Sequence, residues 1–244
     1  MTDSRLSINS PSLIAMNTSP PPPGIPTHSP RYTAALGWAA ELHRHQWRKG
    51  KPVPSIAHLI AVSALVWEDG GNEDEAIAGL LHDAIEDAGQ TRESIALRYG
   101  IEVAEIVVAC TDTEGPVAPD GKKEPWIVRK TRTIEHLESQ SKAALNVTAA
   151  DKAHNARDMV ADSRTDPHVW KMFRAGLDGS AWYLLSLHDK LQRLLPGSRS
   201  VSMLGESLKE LLHTDALLAR VPAGQTSEEW VRGYLERPEM HPKD

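Results

Sequence analysis

The stretch "NEDEAIAGLLHDAIEDAG", residues 72–89, constrains the fold more than any other part of the chain. Wound as a helix at about 100° per residue, it puts Ile77, Leu80, Leu81, Ala84 and Ile85 on one side. His82, Asp83, Glu86 and Asp87 cover most of the other. Acidic residues open the segment, where the helix dipole favours them, and Gly89 closes it. A solvated polar face is the plain reading of a lone His–Asp pair. Here further acids recur three and four positions on, along the same side. Three carboxylates and an imidazole within two turns repel one another unless something positive sits among them. A divalent metal supplies that charge.

The rest of the chain follows the same period. "RYTAALGWAAELHRHQWRKG", "HLIAVSALVWEDGG", "IEVAEIVVAC", "WIVRKTRTIEHLES", "ALNVTAADKAHNARDMVAD" and "HVWKMFRAGLDGSAWYLLSLHDKLQRLL" each read as helix. "TRESIALRYG" opens with a Thr-x-x-Ser start of the kind that caps a helix. No alternating strand or Gly-rich phosphate loop interrupts them, so the fold class is expected to be all-α. "TDTEGPVAPDGKKEP", residues 111–125, reads as a loop. Residues 1–30 are rich in Pro and Ser with hardly any charge, which predicts a disordered tail. Residues 31–195 form the expected main domain, and residues 196–244 a C-terminal helical extension with weaker patterns.

Composition narrows the function classes. A formal charge of −6 gives no overall pull toward nucleic acid or a membrane surface. Cys110 is the only cysteine, which excludes a disulfide framework and a multi-thiolate zinc site within the chain. No apolar run approaches the roughly 18 residues of a membrane span, and the N-terminus lacks a secretory pattern. A cytoplasmic protein with no nucleic-acid or membrane partner is the expectation.

A metal with nitrogen and oxygen ligands needs more than His82 and Asp83. "IAHLI" offers His58, and "AADKAHNARD" offers Asp151 on a later helix. There Ala149, Ala150, Ala153 and Ala156 make a small-residue face suited to close packing, and Asp151, Asn155 and Asp158 share an edge. The run "HRHQWRKGK" gathers Arg44, Arg48, Lys49 and Lys51 into a local cationic patch. "GKKEPWIVRKTR" adds Lys122, Lys123, Arg129, Lys130 and Arg132. Trp47 is read first as a packing residue and second as one that flanks a base.

Together, His58, His82-Asp83, Glu86-Asp87 and Asp151 resemble the HD-domain superfamily of metal-dependent phosphohydrolases. More narrowly, "RKG…HL…LLHDAIEDAG…RYG…VVACTD…ADKAHNARD" resembles the hydrolase domain of the RelA/SpoT group, with its small stand-alone alarmone hydrolases. The resemblance runs from about residue 31 to 193 and implies a helical HD bundle. It implies that His58, His82, Asp83 and Asp151 bind one divalent metal, usually Mn²⁺, and that Glu86 and Asp87 handle the attacking water. It further implies that Arg48, Lys49 and Asn155 contact a nucleotide substrate, and that Tyr183 lies where the last core helix nears the pocket. The implied reaction removes pyrophosphate from the 3′ position of (p)ppGpp. An HD phosphohydrolase for another nucleotide and a non-catalytic metal or nucleotide sensor are the alternatives. Ser55, Leu59 and Thr148 depart from the family pattern near the nucleotide, which bears on the substrate more than on hydrolysis.

Overall fold

The computed structural model describes residues 27–111, 124–166 and 168–242. The expected tail and the loop at 111–125 therefore fall almost wholly outside the described residues. Within them the regular structure is helical, with a single isolated bridge between Trp47 and Pro54. The helices run α1 (Pro30–Leu42), α2 (Ile56–Glu68), α3 (Glu73–Leu81), α4 (Ala84–Ala88), α5 (Arg92–Tyr99) and α6 (Ile101–Cys110). They continue as α7 (Trp126–His136), α8 (Lys142–Thr165), α9 (Gly176–Leu194), α10 (Arg199–Leu212), α11 (Asp215–Leu218) and α12 (Ser227–Arg232). None is long and apolar enough to cross a membrane.

Local chemistry sets most of the helix ends. The Asn72 side chain accepts from the Glu75 amide and starts α3, and Thr91 and Ser94 cap α5 reciprocally, as the Thr-x-x-Ser spacing predicts. Ser141 starts α8 and Ser198 starts α10 in the same way. Gly89 ends α4 in the left-handed region at φ +62°, a conformation that costs a glycine little.

Two apolar clusters share α8 as their spine. On one side α1, α2, α3, α5 and α6 bury Ile77, Leu80, Leu81 and Val107 against Ala144, Val147 and Ala150 of α8. On the other, α7, α9 and α10 bury Trp126, Leu177, Trp182 and Leu204 against Ala149, Ala153 and Ala156. The small residues let the flanking helices approach from both sides. Gly79 does the same for α2 and α3, since a Cβ there would lie 3.0 Å from the Ser63 Cα. The C-terminal segment packs on this second cluster, with Leu217, Val231 and Tyr234 buried in it.

Three expectations need correcting. The helix over residues 72–89 is not continuous, because it breaks at His82 and Asp83 and restarts as α4. In an unbroken helix the Gly79 carbonyl takes the Asp83 amide, but here it takes the His82 ring nitrogen Nδ1 at 2.9 Å. The expected last helix also divides, into a short 3₁₀ turn (Val169–Met172) and α9, which opens on Gly176 at φ +59°. Trp47 is not a packing residue; it is 61% exposed.

Candidate active site

The break at His82 turns its ring inward. His82 is 4% exposed, although its neighbours Glu86 and Asp87 face solvent. Because a carbonyl can only accept, Nδ1 is the donor in this bond, and Nε2 is the ring nitrogen turned toward the acids. That Nε2 is buried and has no hydrogen-bond partner. It lies 3.7 Å from Asp151 Oδ1 and 3.3 Å from Asp83 Oδ1.

The close approach of α2 to α3 brings His58 to the same point. Its ring centroid is 5.2 Å from that of His82, and its Nε2 is 3.2 Å from Asp151 Oδ1. One ligand atom each from His58, His82 and Asp151 lies within 4.8 Å of the others. All three residues are buried. The distal nitrogen of His58 meets His154 Nδ1 at 2.9 Å. Burial pushes His154 down to about 4, with the neighbouring His58 adding to the effect, so at neutral pH its ring is uncharged and one of the two facing Nδ1 atoms donates to the other. Burial likewise lowers His58, against the pull of Asp151. Both imidazoles are therefore held neutral, the form that ligates metals. Asp151 goes the other way. Burial alone would raise its pKa, but Lys152 and the two imidazoles hold its carboxyl well below the usual range. Lys152 Nζ sits 2.6 Å from Asp151 Oδ2, and Asn155 donates to Oδ1. The result is two imidazole nitrogens and an ionised carboxylate at one point, oriented by outer hydrogen bonds in the manner of metal sites. With its unpartnered Nε2, this set fits a divalent cation.

A cavity of about 100 Å³ opens beside these donors. His82, Asp83, Glu86 and Asp151 line it, facing Lys130, Thr133 and His136 of α7. Asp87 is not among its lining residues; its backbone carbonyl accepts from Gln46 Nε2 at 2.7 Å. Thr148 also lines the cavity, with the Cys110 sulfur 3.8 Å from its hydroxyl. Burial pushes the Cys110 thiol up to about 12, so it is not a nucleophile here.

A second cavity of about 300 Å³ is more apolar, lined by Trp126, Met159, Phe173 and Leu184. Lys49 and Asn155 line it too, with the Lys49 ammonium 5.8 Å from the Phe173 ring. Arg48 reaches Asn155 Oδ1 at 2.6 Å and Asp158 at 3.2 Å, and Lys51 pairs with Asp158 and Asp162. Arg48 is thus bonded to Asn155 of α8, and Lys49 shares a cavity wall with Asn155. Arg44 stands apart, paired with Glu41 at the surface, and Arg132 pairs with Glu124.

Sequence reasoning gave no role to Lys152, His154 and Phe173. Lys152 and His154 lie inside the "ADKAHNARD" segment, and their positions one and three residues after Asp151 were the available signal. Phe173 is the only phenylalanine in the chain, and nothing local marks it.

Comparison with known proteins agrees with this arrangement. A family model described as HD domain matches residues 35–175. The guanosine-3′,5′-bis(diphosphate) 3′-pyrophosphohydrolase MESH1 of Xenopus tropicalis is 37% identical over 139 residues, covering 56% of this chain and 72% of that protein. The Homo sapiens protein of the same name is 33% identical over 143 residues, covering 57% and 74%. A solved structure described as a metazoan ortholog of SpoT that hydrolyzes ppGpp superposes with a TM-score of 0.57 at 25% identity, over 76% of this chain and 96% of its own. With the family model covering residues 35–175, more than half of the chain, the chain belongs to the HD-domain family.

Proposed function

We propose that this chain is a metal-dependent phosphohydrolase that removes pyrophosphate from the 3′ position of (p)ppGpp, leaving GDP or GTP. The observation that carries the reading is the buried, unpartnered Nε2 of His82, set between Asp83 and Asp151 at the wall of a cavity that also holds an acid and two lysines. The named activity of the similar proteins supplies the substrate.

In this reading His58, His82, Asp83 and Asp151 hold one divalent metal. An all nitrogen and oxygen donor set admits Mn²⁺ along with Fe²⁺, Co²⁺, Zn²⁺ and Ni²⁺, and on the family resemblance Mn²⁺ is the ion we propose. When bound, the metal lowers the pKa of a water and offsets charge on the phosphoryl oxygens. Glu86, at the cavity wall, accepts the proton of that water, with Asp87 beside it. Lys152 keeps Asp151 ionised and therefore able to ligate. Arg48 holds the Asn155 amide in place, and Asn155 and Lys49 take the nucleotide. Thr148 does not leave the cavity short of cations, since Lys130 and Lys152 line it as well.

The test is product analysis of Mn²⁺-loaded protein with ppGpp beside a panel of ordinary nucleotides, with Asp83→Ala as control. GDP and pyrophosphate from the wild type, lost in the variant, are expected. Turnover of another nucleotide only, or of none, would overturn the substrate assignment.

A further inference from the structure

Helix α9 lies between the apolar cavity and the C-terminal segment. Ser180, Tyr183 and Leu184 fall on one side of its wheel and line the apolar cavity, and Tyr183 lines the metal-side cavity as well. Asp178, Gly179 and Trp182 fall on the other side and meet the C-terminal segment. Asp178 is 3% exposed, and its carboxylate accepts from the Trp230 indole N–H at 2.8 Å and from the Arg220 guanidinium at 2.5 Å. A Cβ at Gly179 would lie 2.7 Å from the Tyr234 hydroxyl, so only a glycine admits the segment this closely. The Tyr234 ring meets Trp182 with 5.6 Å between centres. Trp182 in turn meets Trp126, a wall of the apolar cavity, edge-on at 6.1 Å. Taking a carboxylate out of water is costly unless its partners replace the lost hydrogen bonds. A buried ion pair therefore serves better to fix one packing against its alternatives than to add net stability. Both partners of Asp178 follow α10, outside the residues 35–175 that the HD-domain family model matches.

We infer that Asp178 is a positioning residue: through Arg220 and Trp230 it locks α9 to the C-terminal segment and so holds the apolar cavity at the width its planar occupant needs. The segment that carries Arg220, Trp230 and Tyr234 is thereby part of substrate recognition, acting from behind the cavity wall without touching the nucleotide. A ring seated among Trp126, Phe173 and α9 depends on the spacing of those walls, since a gap of about 1 Å forfeits roughly half of each dispersion contact. His58, His82, Asp83 and Asp151 come from α2, the break after α3, and α8, so the metal donors do not depend on this lock. The assignment rests on the nucleotide phosphohydrolase reading above and gives the C-terminal extension a role in it.

The test compares Asp178→Ala with Asp178→Asn, which keeps an acceptor for the indole N–H, in the metal-loaded full chain. GDP, titrated calorimetrically, probes the cavity, and ppGpp is the substrate for kinetics. Asp178→Ala should bind GDP about tenfold more weakly and show a KM raised about tenfold, with kcat and bound metal within about twofold of wild type. Asp178→Asn should recover most of both losses. Trp230→Phe removes only the indole N–H; it should move GDP affinity and KM in the same direction, and it carries the test if Asp178→Ala does not fold. A lower Tm with GDP affinity and KM unchanged marks a purely structural contact and overturns the inference. A fall in kcat at constant KM, or no GDP binding to the wild type, overturns it too. The two claims fail separately. If the wild type does not turn over ppGpp yet the variant binds GDP more weakly, only the substrate falls; if ppGpp is hydrolysed and the variant matches the wild type, only the role of Asp178 falls.

Discussion

The two cavities that meet at Tyr183 are built on different physical terms. The metal-side cavity has the His82 and Asp151 donors at its wall, with His58 buried behind them, and Lys152 helps hold Asp151 ionised against its burial. The apolar cavity is made of Trp126, Met159, Phe173 and Leu184, with cations at its edge. Its larger volume and aromatic walls suit a planar ring, which gains from burial without needing a particular charge. The contrast separates chemistry from recognition. Damage on the first side should cost turnover and bound metal, and damage on the second should cost affinity.

The strongest way to break this comparison is Asp151→Ala. That change removes the carboxylate facing both imidazoles and leaves Lys152 without the partner 2.6 Å away. Steady-state kinetics should show kcat/KM reduced roughly 10³-fold or more, mostly in kcat. A rise in KM alone would place the chemistry elsewhere. Phe173→Ala sharpens the other side. It removes an aromatic wall and the ring beneath the Lys49 ammonium. KM should rise about tenfold with kcat and metal content close to wild type. If metal were lost instead, the two cavities would not be separable units.

How far the sequence could be read follows from how local each determinant is. The all-α architecture, the Asn72 and Thr91 starts and the Gly89 stop depend on a few adjacent residues, so periodicity and capping patterns reveal them. The break at His82 was hidden, although it too is local. Helical spacing places side chains on faces but does not show when one of them turns back onto a backbone carbonyl, as His82 does onto Gly79. That turn decides the ring's direction, which no wheel displays. The meeting of His58, His82 and Asp151 was suggested by family resemblance, because it depends on Gly79 admitting α2 against α3 and on the alanines of α8. Glu86 falls at the cavity wall and Asp87 does not, a difference their adjacency in sequence conceals. Phe173 enters through a turn that the expected continuous helix over 168–195 did not contain.

The account stands or falls on the metal. Elemental analysis of the purified chain beside its His82→Ala variant is the direct measurement, since the variant removes the buried nitrogen that has no other partner. A divalent transition metal at about one equivalent in the wild type, absent from the variant together with a lower Tm, is the predicted result. Equal metal content in the two proteins, or full hydrolytic activity from metal-free wild type, would contradict it.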